Sequence, residues 1–169
     1  YFDLLGLPPT AEAVVEFEAD ARPDACERLV ESLLASPAFG ERWAQHWLDL
    51  ARFAETDGFE HDKVRPNAWR YRDWLIDSLN TDQPYDEFVF HQLAGDEIDR
   101  PTTASIIATG YLAIGPWTLQ NYIKGQLAAD VVDHQIDRIG RIFLGQTISC
   151  ARGHDHKFDP ITMQDYYGL

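Results

Sequence analysis

The chain has 169 residues, 45% hydrophobic and 25% charged, a globular composition long enough for one well-buried core, so a single domain is expected. Fourteen Lys and Arg against 28 Asp and Glu leave a formal charge of −14, a field that makes a nucleic-acid backbone a poor partner. No apolar run reaches the roughly 18 residues of a membrane span; the best candidate, Ala104 to Ile114, is broken by Ser105, Thr109 and Gly110. No membrane insertion by this segment is expected. The chain opens on Tyr1-Phe2-Asp3-Leu4 without an initiator Met or a signal peptide and closes on Tyr166-Tyr167-Gly168-Leu169. A fragment of a longer multidomain protein is expected, with the neighbouring domains of the same polypeptide as its first partners.

Apolar residues recur at three- and four-residue spacing through the first half, with breaks at Pro, Gly and Asp-rich turns, which predicts successive amphipathic helices. Thr10 is placed to cap a helix running to about Asp20, and Arg22-Pro23-Asp24 starts a second ending near Ser36-Pro37. In that second helix Cys26 reads as a small buried thiol. A third helix starts near Gly40 and carries Trp43, Trp47, Leu48, Leu50, Ala51 and Ala54, read as core, with Thr56-Asp57-Gly58 as its stop. His46, between two Trp residues, reads as a core imidazole. Phe59 to Asn67 is polar and aperiodic, a loop feeding a fourth helix from Ala68 to about Leu79. A fifth runs from about Tyr85 to Leu93, and a sixth follows Thr102 through Ile106, Ile107 and Leu112. Val131, Val132, Gln135, Ile136, Ile139 and Phe143 share one face of a long seventh helix. No alternation is long enough for a sheet of consequence. The expected fold is all-α, a single domain of about six to seven helices with an irregular C-terminal ligand-bearing segment.

That segment reads Ser149-Cys150-Ala151-Arg152-Gly153-His154-Asp155-His156-Lys157-Phe158-Asp159-Pro160. It gathers one thiol, two imidazoles and two carboxylates. Two cysteines far apart, Cys26 and Cys150, exclude a disulfide scaffold and a Cys-rich zinc site. Cys150 and His154 are four apart, which on a helix places both on one face toward a common ligand. The covalent haem motif C-x-x-C-H attaches vinyl groups through its cysteines and binds iron through its His; this chain offers C-x-x-G-H. The alternatives are a divalent metal ion held by some of Cys150, His154, His156, Asp155 and Asp159, and a purely structural loop.

Several stretches together resemble one family: Tyr1-Phe2-Asp3-Leu4-Leu5-Gly6-Leu7-Pro8-Pro9-Thr10, Gly40-Glu41-Arg42-Trp43, His46-Trp47-Leu48-Asp49-Leu50-Ala51-Arg52, Arg65-Pro66-Asn67-Ala68-Trp69-Arg70-Tyr71-Arg72-Asp73, Gln92-Leu93-Ala94-Gly95-Asp96 and His154-Asp155-His156-Lys157-Phe158-Asp159-Pro160-Ile161. These are similar to the planctomycete cytochrome c-like domain of unknown function, a PSCyt-type module of large exported proteins. The resemblance covers essentially the whole chain. It implies a periplasmic or extracellular location, proximity to carbohydrate-degrading enzymes, and covalent haem c with His154 as the proximal ligand. Where that family carries its second cysteine this chain has Gly153, so at most one thioether forms, through Cys150. Arg152 and Lys157 are expected to pair with the haem propionates. Candidates for a second axial ligand are His46, His61, His91, His134, His156 and Met163.

A second constellation, Glu55-Thr56-Asp57-Gly58-Phe59-Glu60-His61-Asp62, offers oxygen ligands for a hard cation or an acid/base pair for glycoside chemistry. It is equally a solvated acidic turn. Asn67, Trp69, Arg70, Tyr71 and Arg72 next to it are able to line a sugar cleft. The functional expectation is a c-type-cytochrome-like haem module in extracytoplasmic redox chemistry, meeting a redox partner. The alternative is a module that binds or degrades extracellular polysaccharide, with Glu55, Asp57 and Arg70 as catalytic candidates.

Overall fold

A computed structural model describes residues 1–58, 62–115 and 124–169. The chain is all-α, and the only extended pairing among the described residues is an isolated antiparallel bridge, Thr56 to Val64. It divides into two compact units: Tyr1–Asp49 with Trp69–Tyr111, and Leu50–Ala68 with Leu112–Leu169.

In the first unit, α1 (Phe2–Leu5) is a single turn that the sequence pattern does not predict, ended by Gly6 at φ 71°. Thr10 caps α2 (Ala11–Ala19), its hydroxyl accepting the Ala13 N–H at 3.2 Å. In α3 (Ala25–Leu34) the inward line is Ala25, Leu29 and Leu33, four residues apart. Cys26 lies one position off that line and is exposed, not buried as its helical setting suggested.

Helix α4 (Pro37–Ala51) corrects the core reading for Trp43 and Leu50, while Trp47 and Ala51 do face the core. Its buried positions are Gly40, Ala44 and Ala51, while Trp43 is 42% exposed and Leu50 56%. Small residues face inward because the neighbour comes close: a Cβ on Gly40 would fall 2.6 Å from the Asn80 amide. That amide accepts the Gly40 N–H at 2.9 Å and donates to the Pro37 carbonyl at 3.1 Å, capping the first turn of α4 from another helix. His46 is exposed as well, its ring edge-on to Trp43.

The aromatic core of this unit joins α4, α5 (Ala68–Asn80) and α6 (Tyr85–Ala94). Trp74 stacks on Phe88 at 5.5 Å and 9°, and Trp47 meets Phe88 edge-on at 4.8 Å. Gln92, fully buried, is satisfied within this core. Its Oε1 accepts from Tyr71 Oη at 2.6 Å and Trp47 Nε1 at 3.0 Å, and its Nε2 donates to the Phe88 carbonyl. A capping box between Thr102 and Ser105 starts α7 (Thr103–Ala108), which continues as 3₁₀ turns to Leu112.

The second unit begins as α4 ends. The helix stops at Ala51 with Arg52 in the left-handed region (φ 57°), earlier than the expected stop at Gly58. Gly58 instead turns a short ladder in which Asp57 N–H bonds Lys63 O and Arg65 N–H bonds Glu55 O. The long helix α8 (Lys124–Phe143) is the spine of this unit. It is followed by a 3₁₀ segment, Ile148–Arg152, and by α9 (Met163–Gly168), so the C-terminal stretch is more regular than its composition suggests. Ile136, Ile148, Ala151 and Tyr166 form its core, with Ile161 packed against it. A Cβ on Gly140 would lie 2.6 Å from Ile148 Cγ1; the glycine lets the 3₁₀ segment seat on α8.

Candidate functional site

The segment rich in ligand-type side chains is braced from behind by α8. Asp137, 8% exposed, takes the Ser149 hydroxyl, the Arg141 Nε at 2.8 Å and an Arg52 amino group at 3.2 Å. Burial alone raises its carboxyl, but the Ser149 and Arg141 hydrogen bonds and the Arg52 charge override that and hold it below the usual carboxylate range. Ser149 immediately precedes Cys150, so this buried carboxylate fixes the start of the motif. One turn earlier, Asp133 accepts from Tyr166 Oη and, at 2.9 Å, from Arg152 Nη1, with Asp130 3.5 Å from Arg152 Nη2. Arg152 is thereby held on α8. Burial, then the hydrogen bond to Asp133, pushes the Tyr166 phenol far up, and it stays neutral at any ordinary pH.

The 3₁₀ segment ends at Arg152 and Gly153 caps it. Cys150 and His154 therefore do not share a helical face, which corrects the reading of their four-residue spacing. Both are exposed. The His154 Nδ1 lies 2.7 Å from the Asp155 carbonyl. A carbonyl only accepts, so Nδ1 carries the proton and the lone pair sits on Nε2. His156 has the opposite arrangement, with its side chain 7% exposed. Its Nδ1 accepts the Asp159 N–H at 2.9 Å and lies 3.4 Å from the Phe158 N, which places its proton on Nε2. With His156 N–H on the Ile161 carbonyl at 2.8 Å, this imidazole clasps the loop shut. The loop tip carries Phe158, 83% exposed, with Lys157 Nζ 5.1 Å from its ring centroid. Asp155 accepts the Met163 N–H at 2.9 Å and helps to start α9.

Among the described residues no three His, Cys, Asp or Glu side chains gather as a metal centre requires. Of the expected cation ligands, His156 and Asp155 are used within the loop, and Asp159 Oδ2 lies 3.2 Å from His156 Nδ1. His91 Nδ1 is bonded to Gln83 at 2.9 Å, His134 is exposed on α8, and Met163 is partly exposed. His61 and its neighbours Phe59 and Glu60 lie outside the described residues.

The acidic constellation takes a structural shape. Asp57 is paired with Arg65 Nε at 2.7 Å, and the same guanidinium donates to the carbonyls of Ile114 and Gly115 at 3.0 and 2.8 Å. Glu55 belongs with Asp57 to the second unit and Arg70 to the first, its guanidinium 5.0 Å from the Trp69 ring centroid.

The stretches that carry the resemblance run from the first residue to the clasped loop, and the family model for PSCyt2, a protein of unknown function (DUF1549), matches residues 1–169. The chain belongs to this family. No curated protein and no solved structure matches it. Membership in PSCyt2 fixes the module and leaves its chemistry to the residues themselves. The residues that sequence reasoning missed are Asp130, Asp133 and Asp137 on α8. Their three- and four-residue spacing was available, but in so acidic a chain it reads as a solvated face.

Proposed function

We propose that this PSCyt2 module binds haem at the surface of its second unit and serves redox chemistry outside the cytoplasm. The observation that carries the reading is the state of His154: exposed, with Nδ1 tied to a backbone carbonyl and Nε2 left as a lone-pair donor. That is the arrangement a histidine needs to ligate iron, since the Nδ1 hydrogen bond orients the ring and raises the basicity of Nε2. Cys150, also exposed, is the thiol for a single thioether. A thiol and an imidazole are the donor types that haem c takes from a protein. Bound there, haem would supply one-electron transfer at iron.

The chain's own groups have separate tasks in this reading. Asp137 and Ser149 hold the cysteine end of the motif against α8, and the His156 clasp holds the histidine end. Arg152 is engaged by Asp133 and Asp130, so Lys157 is the freer cation for a propionate. A redox partner and the neighbouring domains of the polypeptide would complete the system.

The test is an absorption spectrum of protein made with c-type haem maturation present, followed by acid–acetone extraction. A Soret band that stays with the polypeptide and is lost in Cys150→Ser is expected, with His154→Ala changing the ligand field. Colourless protein overturns the reading. Colourless protein that binds polysaccharide would instead favour the carbohydrate module, with Glu55, Asp57 and Arg70 the first residues to vary.

A further inference from the structure

Helix α8, the 3₁₀ segment and α9 pack around Ile136, Ile148, Ala151 and Tyr166, and on the outer side of that core they leave a cleft of about 400 Å³. This lies within the range of about 300–1,000 Å³ for small-molecule sites. Its floor is one face of α8, with Ala128, Val132 and Ile136 at four-residue spacing. Its wall is the pair Tyr166 and Tyr167, edge-on with ring centroids 5.2 Å apart. Val132 is 50% exposed and Tyr167 68%. Apolar exposure gathered into one concavity marks a binding surface more than scattered exposure does.

The charge at its edge selects the ligand. Arg152 and Asp133 line the cleft 2.9 Å apart, and Asp130, outside its lining, lies 3.5 Å from the same guanidinium. One negative charge is left over there, inside the field of a chain of net charge −14. Aromatic faces attract a cation in addition. An anion is repelled, and a neutral apolar molecule gains burial without the electrostatic attraction. We infer that the α8–α9 cleft binds an organic cation with an apolar or aromatic body, its charge toward Asp133 at the cleft edge, where Asp130 adds the uncompensated negative charge, and its body against Val132 and the tyrosines. This does not depend on haem.

The test is an amide-shift titration of the full chain, ¹⁵N-labelled, with 2-phenylethylammonium, and with 2-phenylethanol and 3-phenylpropionate as the neutral and anionic probes. The ammonium probe is expected to give saturable shifts confined to amides near Val132, Ile136, Arg152 and Tyr166, with at least fivefold tighter binding than the alcohol. The carboxylate should give none. Val132→Arg, at a half-exposed position, should abolish binding with the fold retained. Asp130→Asn should bring the ammonium close to the alcohol, because Asp130 is the looser of the two partners of Arg152. Equal binding of all three probes, shifts elsewhere, or no saturable shift overturns the inference. So would cleft amides that are protected from exchange and unresponsive to every probe, which would mean that the chain's own polypeptide fills the cleft.

Discussion

Gly153 stands where a second cysteine would complete C-x-x-C-H, and the fold does not require a glycine there. Its φ of −109° and ψ of −20° suit any residue, and a Cβ at this position meets nothing within 4 Å. Replacing a glycine at such a site restricts the unfolded chain and stabilises by about 0.4–1 kcal/mol. For a chain of this size that is a rise in Tm of about 1–4 °C for Gly153→Ala, measured by far-UV circular dichroism. Gly153→Cys should fold equally well. In a 3₁₀ turn, residues three apart eclipse, and the Gly153 N–H on the Cys150 carbonyl at 3.3 Å shows the turn closed over this span. The new thiol would therefore stand on the same side as Cys150. Matured under reducing conditions, Gly153→Cys should hold a larger covalently attached haem fraction by mass spectrometry than the parent chain. A Tm lower by several degrees in Gly153→Ala would refute the open-space reasoning. A stable Gly153→Cys variant with no gain in covalent haem would refute the claim that this turn presents two positions to one ligand.

Asp137→Ala should cost about 2–4 kcal/mol in urea unfolding. The Ser149 hydrogen bond to a charged, buried carboxylate supplies most of that loss, because Arg52 and Arg141 are about half exposed and their pairings contribute little; faster amide exchange across Ile148–Arg152 should accompany it, and a loss under 0.5 kcal/mol would show that Asp137 braces nothing. Gly140→Ala should cost about 1–3 kcal/mol through its clash with Ile148, and Ile148→Ala in the same chain should recover part of it, giving a coupling in the double-mutant cycle. The Arg22 hydrogen bonds hold the Asp20 carboxyl down at about 2. Its folded value lies below the unfolded one, so its contribution is present above about pH 4 and is lost as pH falls toward 2. An NMR titration should place the Asp20 midpoint near 2, and Arg22→Gln should return it to the ordinary carboxylate range.

How far the sequence could be read depended on which force sets each feature. Helix existence followed from apolar spacing and local caps, both written in short windows: Thr10 caps α2, and Ala68 and Tyr85 start α5 and α6 where the pattern places them. Orientation was harder. Trp43 points outward and Gly40 and Ala44 inward because the neighbouring helix approaches closely, and the Asn80 amide that caps α4 is far along the chain. The end of α4 was misplaced for a related reason. Arg52 takes the left-handed conformation while its side chain is tied to Asp137, a long-range partner no local window contains.

The candidate site shows the same division at the scale of single atoms. Composition marked a stretch dense in ligand-type side chains, but density does not say which lone pairs remain for a ligand. His154 and His156 are two residues apart and have the same titratable ring. One donates through Nδ1 to a carbonyl and keeps Nε2 for an outside partner; the other accepts backbone N–H through Nδ1 and carries its proton on Nε2. For His156 to ligate through Nε2 it would have to move that proton to Nδ1, against the very N–H group that holds the loop closed. Clasping through Nδ1 and ligation through Nε2 therefore compete at that ring. Asp155 is used in the same way, on the Met163 N–H at the start of α9. An exposed thiol and an imidazole with its Nε2 lone pair outward are among the groups left for an outside partner, and the haem proposal rests on those two.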